Sequence, residues 1–214
     1  MISAQEALDR LREGNRRFVS EDWSTQTMPS QTRRREVATS QEPFAVILGC
    51  SDSRVPAEMV FDQGLGDLFV IRVAGNIVAP SQIGSVEFAV DRFSTRLVVV
   101  LGHTLCGAIQ ATLEELERPS ANRSPNLRSI VDRVRPSVEV LLETDLRRDP
   151  QKLRHHAVRA NIRASAAHLR HGSQLIEHMI EKEGLRVVGA EYSLATGVVD
   201  FFDDPDVSMR SEFR

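Results

Sequence analysis

Short apolar runs alternate along the chain with longer stretches in which apolar residues recur at helical spacing. Five runs have the character of strands: 44–50, 68–72, 97–102, 186–192 and the shorter 198–202. Three stretches between them predict helices: 80–93, 106–116 and 151–183. Buried strands that alternate with helices indicate an α/β fold. We therefore predict a mostly parallel central sheet of four strands, a short fifth strand at its edge, and helices on both faces.

The residues before the first predicted strand follow a different pattern. A helix is predicted over 3–19, because Ser3 and Glu6 have the spacing of a capping box. The polar residues 20–43 predict an arm that contains a short helix. We expect a single domain over 1–214 with three parts: a helical arm (1–43), an α/β core (44–202) and a C-terminal tail (203–214).

Composition and charge exclude several classes of protein. The chain is 41% hydrophobic, and its longest apolar stretches fall far short of the ~18 residues that a membrane span needs. Charged residues stand where a signal peptide has its apolar run, so we expect a cytoplasmic protein. The net charge of −3 gives no general attraction to nucleic acid. The two cysteines are too few for a disulfide framework.

Both cysteines lie where a predicted strand ends, which is where chemistry collects in parallel sheets. If the segment after the first strand is extended, Cys50, Asp52 and Arg54 point to one side. If Cys106 begins a helix, its spacing of three from His103 puts both side chains on one face. Thiolates and imidazole are preferred ligands of Zn²⁺, and three protein ligands with an open position mark a catalytic zinc. The sequence therefore predicts one Zn²⁺ per chain on Cys50, His103 and Cys106.

These segments resemble those of the β-class carbonic anhydrases. The resemblance rests on three sequences, CSDSRVP at 50–56, DLFVIRVAGN at 67–76 and GHTLCG at 102–107, and extends from about residue 4 to residue 202. It implies a zinc lyase in which a zinc-bound hydroxide hydrates CO₂ reversibly to bicarbonate. It also implies a homo-oligomer, a dimer or a tetramer, in which the N-terminal arm packs on a partner subunit.

The resemblance also implies roles for residues beside the zinc. Asp52 either orients the zinc-bound hydroxide, held by Arg54, or becomes a fourth ligand that closes the site at low pH. A paired Arg54 competes for the carboxylate oxygens and favours the first role. A substrate pocket is expected from four further residues, of which the first would reach the site across a dimer interface: Gln41, Phe69, Ala74 and Gly107.

The position of a regulatory site departs from the family pattern. Some members bind a regulatory bicarbonate at a separate site that uses a tryptophan three residues before the first cysteine, and Ile47 stands there in this chain. Arg72 and Tyr192 occupy the other matching positions. We therefore expect a site that is open at alkaline pH and is not inhibited by bicarbonate.

Three other functions use the same residues. A thiol hydrolase would take Cys50 as nucleophile, His103 as base and Asp52 as orienting group, which leaves Cys106 without a role. A zinc-dependent regulatory protein would bind the metal without catalysis. A hydrolase of another heterocumulene, such as carbonyl sulfide or carbon disulfide, would share every ligand.

Charge counting predicts how activity depends on pH. Zn²⁺ with two thiolates and a neutral imidazole carries +2 − 2 = 0, whereas three imidazoles leave +2. Because thiolates donate more electron density, water here should be less acidic than the pKa of ~7 at an all-histidine zinc. We expect CO₂ hydration, measured between about pH 6 and about pH 9, to rise towards alkaline pH. A flat profile, or faster turnover at the acidic end, would contradict this.

Overall fold

A five-stranded sheet forms the centre of the chain in a computed structural model that describes residues 2–25, 27, 30–119 and 124–204. The strands are β1 (Ala45–Gly49), β2 (Leu68–Arg72), β3 (Leu97–His103), β4 (Arg186–Tyr192) and β5 (Val199–Asp203). Their order is β2-β1-β3-β4-β5, and all pairs are parallel except β4 with β5. The predicted α/β fold, with four parallel strands and a short fifth strand at the edge, is confirmed.

Helices lie on both faces of this sheet, as predicted. In the described part of the chain they are α1 (Ala4–Ser20), α2 (Gln31–Glu36), α3 (Ala57–Val60), α4 (Pro80–Arg92), α5 (Gly107–Glu117), α6 (Pro125–Val138), α7 (Pro150–His171) and α8 (Gln174–Glu183). Short 3-10 segments cover Ala74–Asn76, Glu139–Glu143 and Asp145–Arg148. Within the described residues, none of the helices combines the length and the apolar character that crossing a bilayer requires.

The single helix predicted over 151–183 is wrong, because the chain breaks between α7 and α8. Gly172 ends α7, and a Cβ there would lie 2.4 Å from the carbonyl oxygen of His168. Ser173 then starts α8 by accepting a hydrogen bond from the amide of Ile176 at 3.2 Å. Apolar periodicity continues through both helices, so the change of direction depends on these two capping residues.

Alternate residues of the central strands supply two separate apolar cores. Val46 and Val98 face the core covered by the later helices, whereas Ile47, Val99 and Val188 face the core covered by α1 and α3. These side chains are fully buried. The apolar runs were continuous because both faces of the sheet are covered.

Helix α1 packs on the sheet of its own chain. The predicted capping box is present, with Ser3 Oγ accepting from the amide of Glu6 at 3.2 Å and Glu6 Oε2 accepting from the amide of Ser3 at 2.8 Å. Ala7, Leu8 and Leu11 are fully buried against the sheet. Packing of the arm on a partner subunit therefore stays a prediction. Most of the predicted tail, from residue 205 onwards, lies outside the described residues.

The contact between α1 and the loop after α3 gives a stability test. A Cβ at Gly14 would lie 1.8 Å from the carbonyl oxygen of Phe61, whereas a Cβ at Gly84 in α4 meets nothing within 4 Å. We expect Gly14→Ala to lower the free energy of unfolding by about 2–3 kcal/mol, because the helix must move off the core. Gly84→Ala should raise it by about 0.5–1 kcal/mol through helix propensity. Urea unfolding measures both, and equal stabilities would show that α1 does not make this contact.

Candidate metal centre

Two cysteines and one histidine converge at the carboxyl edge of the sheet. Cys50 directly follows β1, His103 is the last residue of β3, and Cys106 directly precedes α5. The two sulfur atoms are 3.9 Å apart, and one ligand atom from each of the three residues lies within 4.8 Å of the other two. All three residues are buried. The structure therefore brings together the three predicted ligands.

The local backbone reaches this arrangement by turns that differ from the prediction. Residues 50–54 are not extended throughout: a turn covers the end of this segment, in which the amide of Val55 donates to the carbonyl of Asp52 at 3.0 Å. Leu105, with a φ of 56°, lies in the left-handed region and turns the chain between His103 and Cys106. Cys106 is the N-cap residue of α5 and not part of its first turn. Turns at 52–55 and at Leu105 therefore shape the site, and helical spacing does not align His103 with Cys106.

His103 presents one nitrogen to the cluster. Its Nδ1 lies 2.9 Å from the carbonyl oxygen of Thr104, and because a carbonyl only accepts, this nitrogen carries the proton. In the neutral imidazole Nε2 then has the lone pair, and among the residues that the structure describes this buried nitrogen has no hydrogen-bond partner. A buried nitrogen without a partner is costly unless a ligand satisfies it. Together with two sulfurs, this donor set fits a zinc ion.

The two thiols are coupled electrostatically and favour a single thiolate on Cys50. The hydrogen bond from Cys106, together with a smaller one from the amide of Gly75, lowers the pKa of Cys50 to about 4 against the burial that raises it. The same sulfur–sulfur hydrogen bond, together with burial, raises the pKa of Cys106. Ionisation of one thiol therefore opposes ionisation of the other. A divalent cation bound to both sulfurs removes this opposition, because it stabilises both thiolates.

Asp52 and Arg54 form a two-point ion pair beside the ligands. Arg54 donates from Nε to Asp52 Oδ1 at 2.8 Å and from Nη2 to Oδ2 at 2.7 Å. These bonds from the guanidinium hold the pKa of Asp52 well below its usual range. Asp52 Oδ2 also lies 3.8 Å from His103 Nε2. The carboxylate is therefore ionised, oriented and next to the cluster.

Two residues outside the predicted site support the Cys50–Asp52 segment. Arg72 donates from Nε to the carbonyl of Cys50 at 3.0 Å and from Nη2 to the carbonyl of Asp52 at 2.6 Å. The amide of Gly75 donates to Cys50 Sγ at 3.3 Å. From the sequence, Arg72 was expected only at a regulatory site, and the available signal for its contact here was a charge at the end of an apolar strand. Gly75 lay within the matching segment at 67–76 but had no predicted role.

The four predicted pocket residues divide into two pairs, of which only one lies by the centre. Ala74 precedes Gly75 in the turn that contacts Cys50, and Gly107 is the first residue of α5, directly after Cys106. Gln41 is exposed and lies before the amino end of β1, whereas the cluster lies beyond its carboxyl end, about 17 Å away along a five-residue strand.

Phe69 lies towards the same amino edge of the sheet. It pairs with Val46 in the strand register, and its ring packs against Phe88 and Phe93 with both centroid distances at 6.1 Å. Within its own chain, therefore, neither Gln41 nor Phe69 reaches the ligands, and the contribution of Gln41 from a partner subunit stays a prediction. Ile47, which stands where some family members have a tryptophan, is fully buried in the core beneath α1.

Comparisons with known proteins agree on one family. A family model described as "Carbonic anhydrase" matches residues 45–199. A carbonic anhydrase of Mycolicibacterium smegmatis is 39% identical over 192 residues, which cover 89% of each chain. Carbonic anhydrase 2 of Mycobacterium tuberculosis is 39% identical over 189 residues, which cover 87% of each chain.

Solved structures give the same result for the fold. The β-carbonic anhydrase CcaA has a TM-score of 0.73 and 25% identity, with 92% of this chain and 91% of that chain covered. A tetrameric β-carbonic anhydrase of the fungus Sordaria macrospora has a TM-score of 0.71 and 23% identity, with 80% and 87% covered.

The donor set predicts how the thiols react. We expect the purified chain to hold about one zinc per chain and its two cysteines to resist alkylation, because a metal-bound thiolate is shielded. A chelator should release the zinc and make both thiols reactive at once. Metal analysis with mass spectrometry of the alkylated chain measures this, and the denatured chain gives the full count of two thiols. Rapid alkylation of Cys50 alone in a zinc-free chain would support the thiol hydrolase instead.

Proposed function

Because the chain belongs to the β-class of the carbonic anhydrase family, we propose that it catalyses the reversible hydration of CO₂ to bicarbonate and a proton. Cys50, His103 and Cys106 would hold one Zn²⁺ per chain. The observation that carries this proposal is the buried cluster itself, in which His103 Nε2 lies beside two sulfur atoms and has no hydrogen-bond partner in the described part of the chain. Three protein ligands leave one position open, as a catalytic zinc requires. Zinc bound there supplies hydroxide at near-neutral pH by lowering the pKa of a water ligand.

Asp52 is the residue that we propose orients the nucleophile. Its Oδ2 is the carboxylate oxygen 3.8 Å from His103 Nε2, so it faces the position where the ligands converge. Because its pKa is held low by Arg54, Asp52 stays ionised and accepts a hydrogen bond from the attacking group. An accepted hydrogen bond at this oxygen directs the lone pair of the nucleophile away from Asp52 and towards the substrate.

Arg54 decides between the two roles considered for Asp52. In a closed arrangement a carboxylate oxygen would serve as the fourth ligand, and Asp52 would have to give up part of its two-point contact with the guanidinium. Bidentate pairs of this kind are strong and fix orientation. The pairing at 2.8 and 2.7 Å therefore supports an open site, with closure as the arrangement of low pH.

A complete substrate pocket requires a second copy of the chain under this proposal. Ala74 and Gly107 lie by the centre in their own chain, whereas Gln41 and Phe69 lie towards the opposite edge of the sheet. We propose that a partner subunit brings these two residues to the site. The tetrameric proteins of Sordaria macrospora support an assembly of dimers or tetramers.

The function is tested with Arg54→Ala and a matched control. Arg16 makes a similar two-point pair with Glu13 on the surface of α1, so Arg16→Ala removes an equivalent contact away from the centre. We expect Arg54→Ala to slow CO₂ hydration about 10- to 100-fold, because the nucleophile loses its orientation. The zinc content should stay at one per chain, and Arg16→Ala should match the wild type. Stopped-flow CO₂ hydration and metal analysis measure these effects.

Three outcomes would contradict the proposal in different ways. Loss of zinc from Arg54→Ala would show that Arg54 holds the ligands and not the nucleophile. A wild-type chain with one zinc that turns over carbonyl sulfide or carbon disulfide but not CO₂ would change the substrate. A zinc-loaded chain without activity on any of the three would indicate a regulatory protein.

A further inference from the structure

The turn at Ala74–Asn76 needs support from outside its own residues. Gly75 and Asn76 both have left-handed backbone angles, with φ of 69° and 43°. Within the turn, the amide of Asn76 donates to the carbonyl of Val73 at 3.0 Å. Left-handed conformations are unfavourable for residues other than glycine and persist where the surroundings impose them. A stable direction for the Gly75 amide therefore depends on other contacts.

Asn161 of α7 provides one such contact. It lies in the middle of α7 and is 2% exposed. Its Nδ2 donates to the carbonyl oxygen of Gly75 at 2.8 Å. The neighbouring positions Val158 and Ile162 belong to the apolar core, where an amide is costly unless it forms a hydrogen bond. Packing of α7 alone would be served by an apolar side chain at this position. The amide of Asn161 is therefore explained by its hydrogen bond to the turn.

The two hydrogen bonds of Gly75 hold both of its backbone angles. Its N–H is directed at Cys50 Sγ at 3.3 Å, and its carbonyl is held by Asn161. Because both bonds meet at one residue, a movement of the carbonyl changes the direction of the N–H. A Cβ at this position would lie 3.1 Å from the Cβ of Ala108, so the turn is also confined on the side of α5.

We propose that Asn161 is a positioning residue of the metal centre, which acts through Gly75 to keep an N–H hydrogen bond on the sulfur of Cys50. This inference rests on the zinc site of the proposed function. A hydrogen bond to a thiolate withdraws electron density from sulfur and fixes the direction of its lone pairs. Mutation of a residue that hydrogen-bonds to a metal ligand typically lowers metal affinity by about 10- to 100-fold.

The test compares Asn161→Ala with Asn15→Ala. Asn15 is also a buried helical asparagine whose Nδ2 bonds backbone carbonyls, those of Val60 at 3.1 Å and Gly197 at 2.8 Å, but it lies in α1 and away from the ligands. We expect Asn161→Ala to release zinc to a chelator about 10- to 100-fold faster. Asn15→Ala should release it at close to the wild-type rate, even where unfolding shows a similar loss of stability.

A spectroscopic measurement separates positioning from general destabilisation. With Co²⁺ in place of zinc, the thiolate-to-metal charge-transfer band should move to longer wavelength in Asn161→Ala, because a sulfur without its hydrogen bond is a better electron donor. The band of Asn15→Ala should not move. Unchanged zinc release and an unmoved band in Asn161→Ala, or equal changes in both variants, would overturn the proposal.

The wild-type chain gives a measurement that does not depend on a variant. In the chain loaded with ¹¹³Cd, the amide proton of Gly75 should show a scalar coupling to the metal through the hydrogen bond to Cys50 Sγ, and it should exchange slowly with solvent. A metal-loaded chain without this coupling overturns the positioning role and leaves the proposed function intact. A wild-type chain that binds neither zinc nor cadmium overturns both.

Discussion

The parallel pairing of β1 with β3 is the constraint on which the rest of the site depends. The register sets Gly49 opposite Leu101, so that Cys50 and His103 emerge at the same edge of the sheet. A slip by one residue would exchange the two faces of β1, and both faces are buried in separate cores. The same apolar packing that stabilises the sheet therefore fixes the relative position of a sulfur and an imidazole that are far apart in sequence.

Strands and ligand types were predictable, because each is a local property of the sequence. Continuous apolar runs indicate strands covered on both faces, and the cysteines follow or flank those runs. The turns were not predictable in this way. The left-handed angle of Leu105 and the turn that joins Asp52 to Arg54 depend on hydrogen bonds that periodicity does not encode. The break between α7 and α8 at Gly172 was not predicted either, because the apolar spacing continues across it.

Residues that act on the site from a distance needed the structure. Arg72 comes from β2 and donates to the carbonyl of Cys50, and Asn161 comes from α7 and donates to the carbonyl of Gly75. Both contact backbone atoms, so the identity of the contacted residue carries no signal. In the sequence, both residues could be recognised only as polar residues within an apolar pattern. Gln41 and Phe69 are the opposite case. The family resemblance assigns both to the substrate pocket, but within a single chain both lie away from the metal ligands.

Charge balance explains why such a site can be buried. The exposed fraction of the side chains rises from 0% at His103 through 17% at Asp52 to 53% at Arg54. In the buried part of the site, the thiolates of Cys50 and Cys106 would neutralise Zn²⁺. In the more exposed part, the guanidinium of Arg54 neutralises the carboxylate of Asp52. Each buried charge therefore has an opposite charge in direct contact, which limits the cost of desolvation. Because the ligand cluster is then neutral overall, the electron donation of its two sulfurs, and with it every hydrogen bond to them, becomes a means of adjusting the reactivity of the metal.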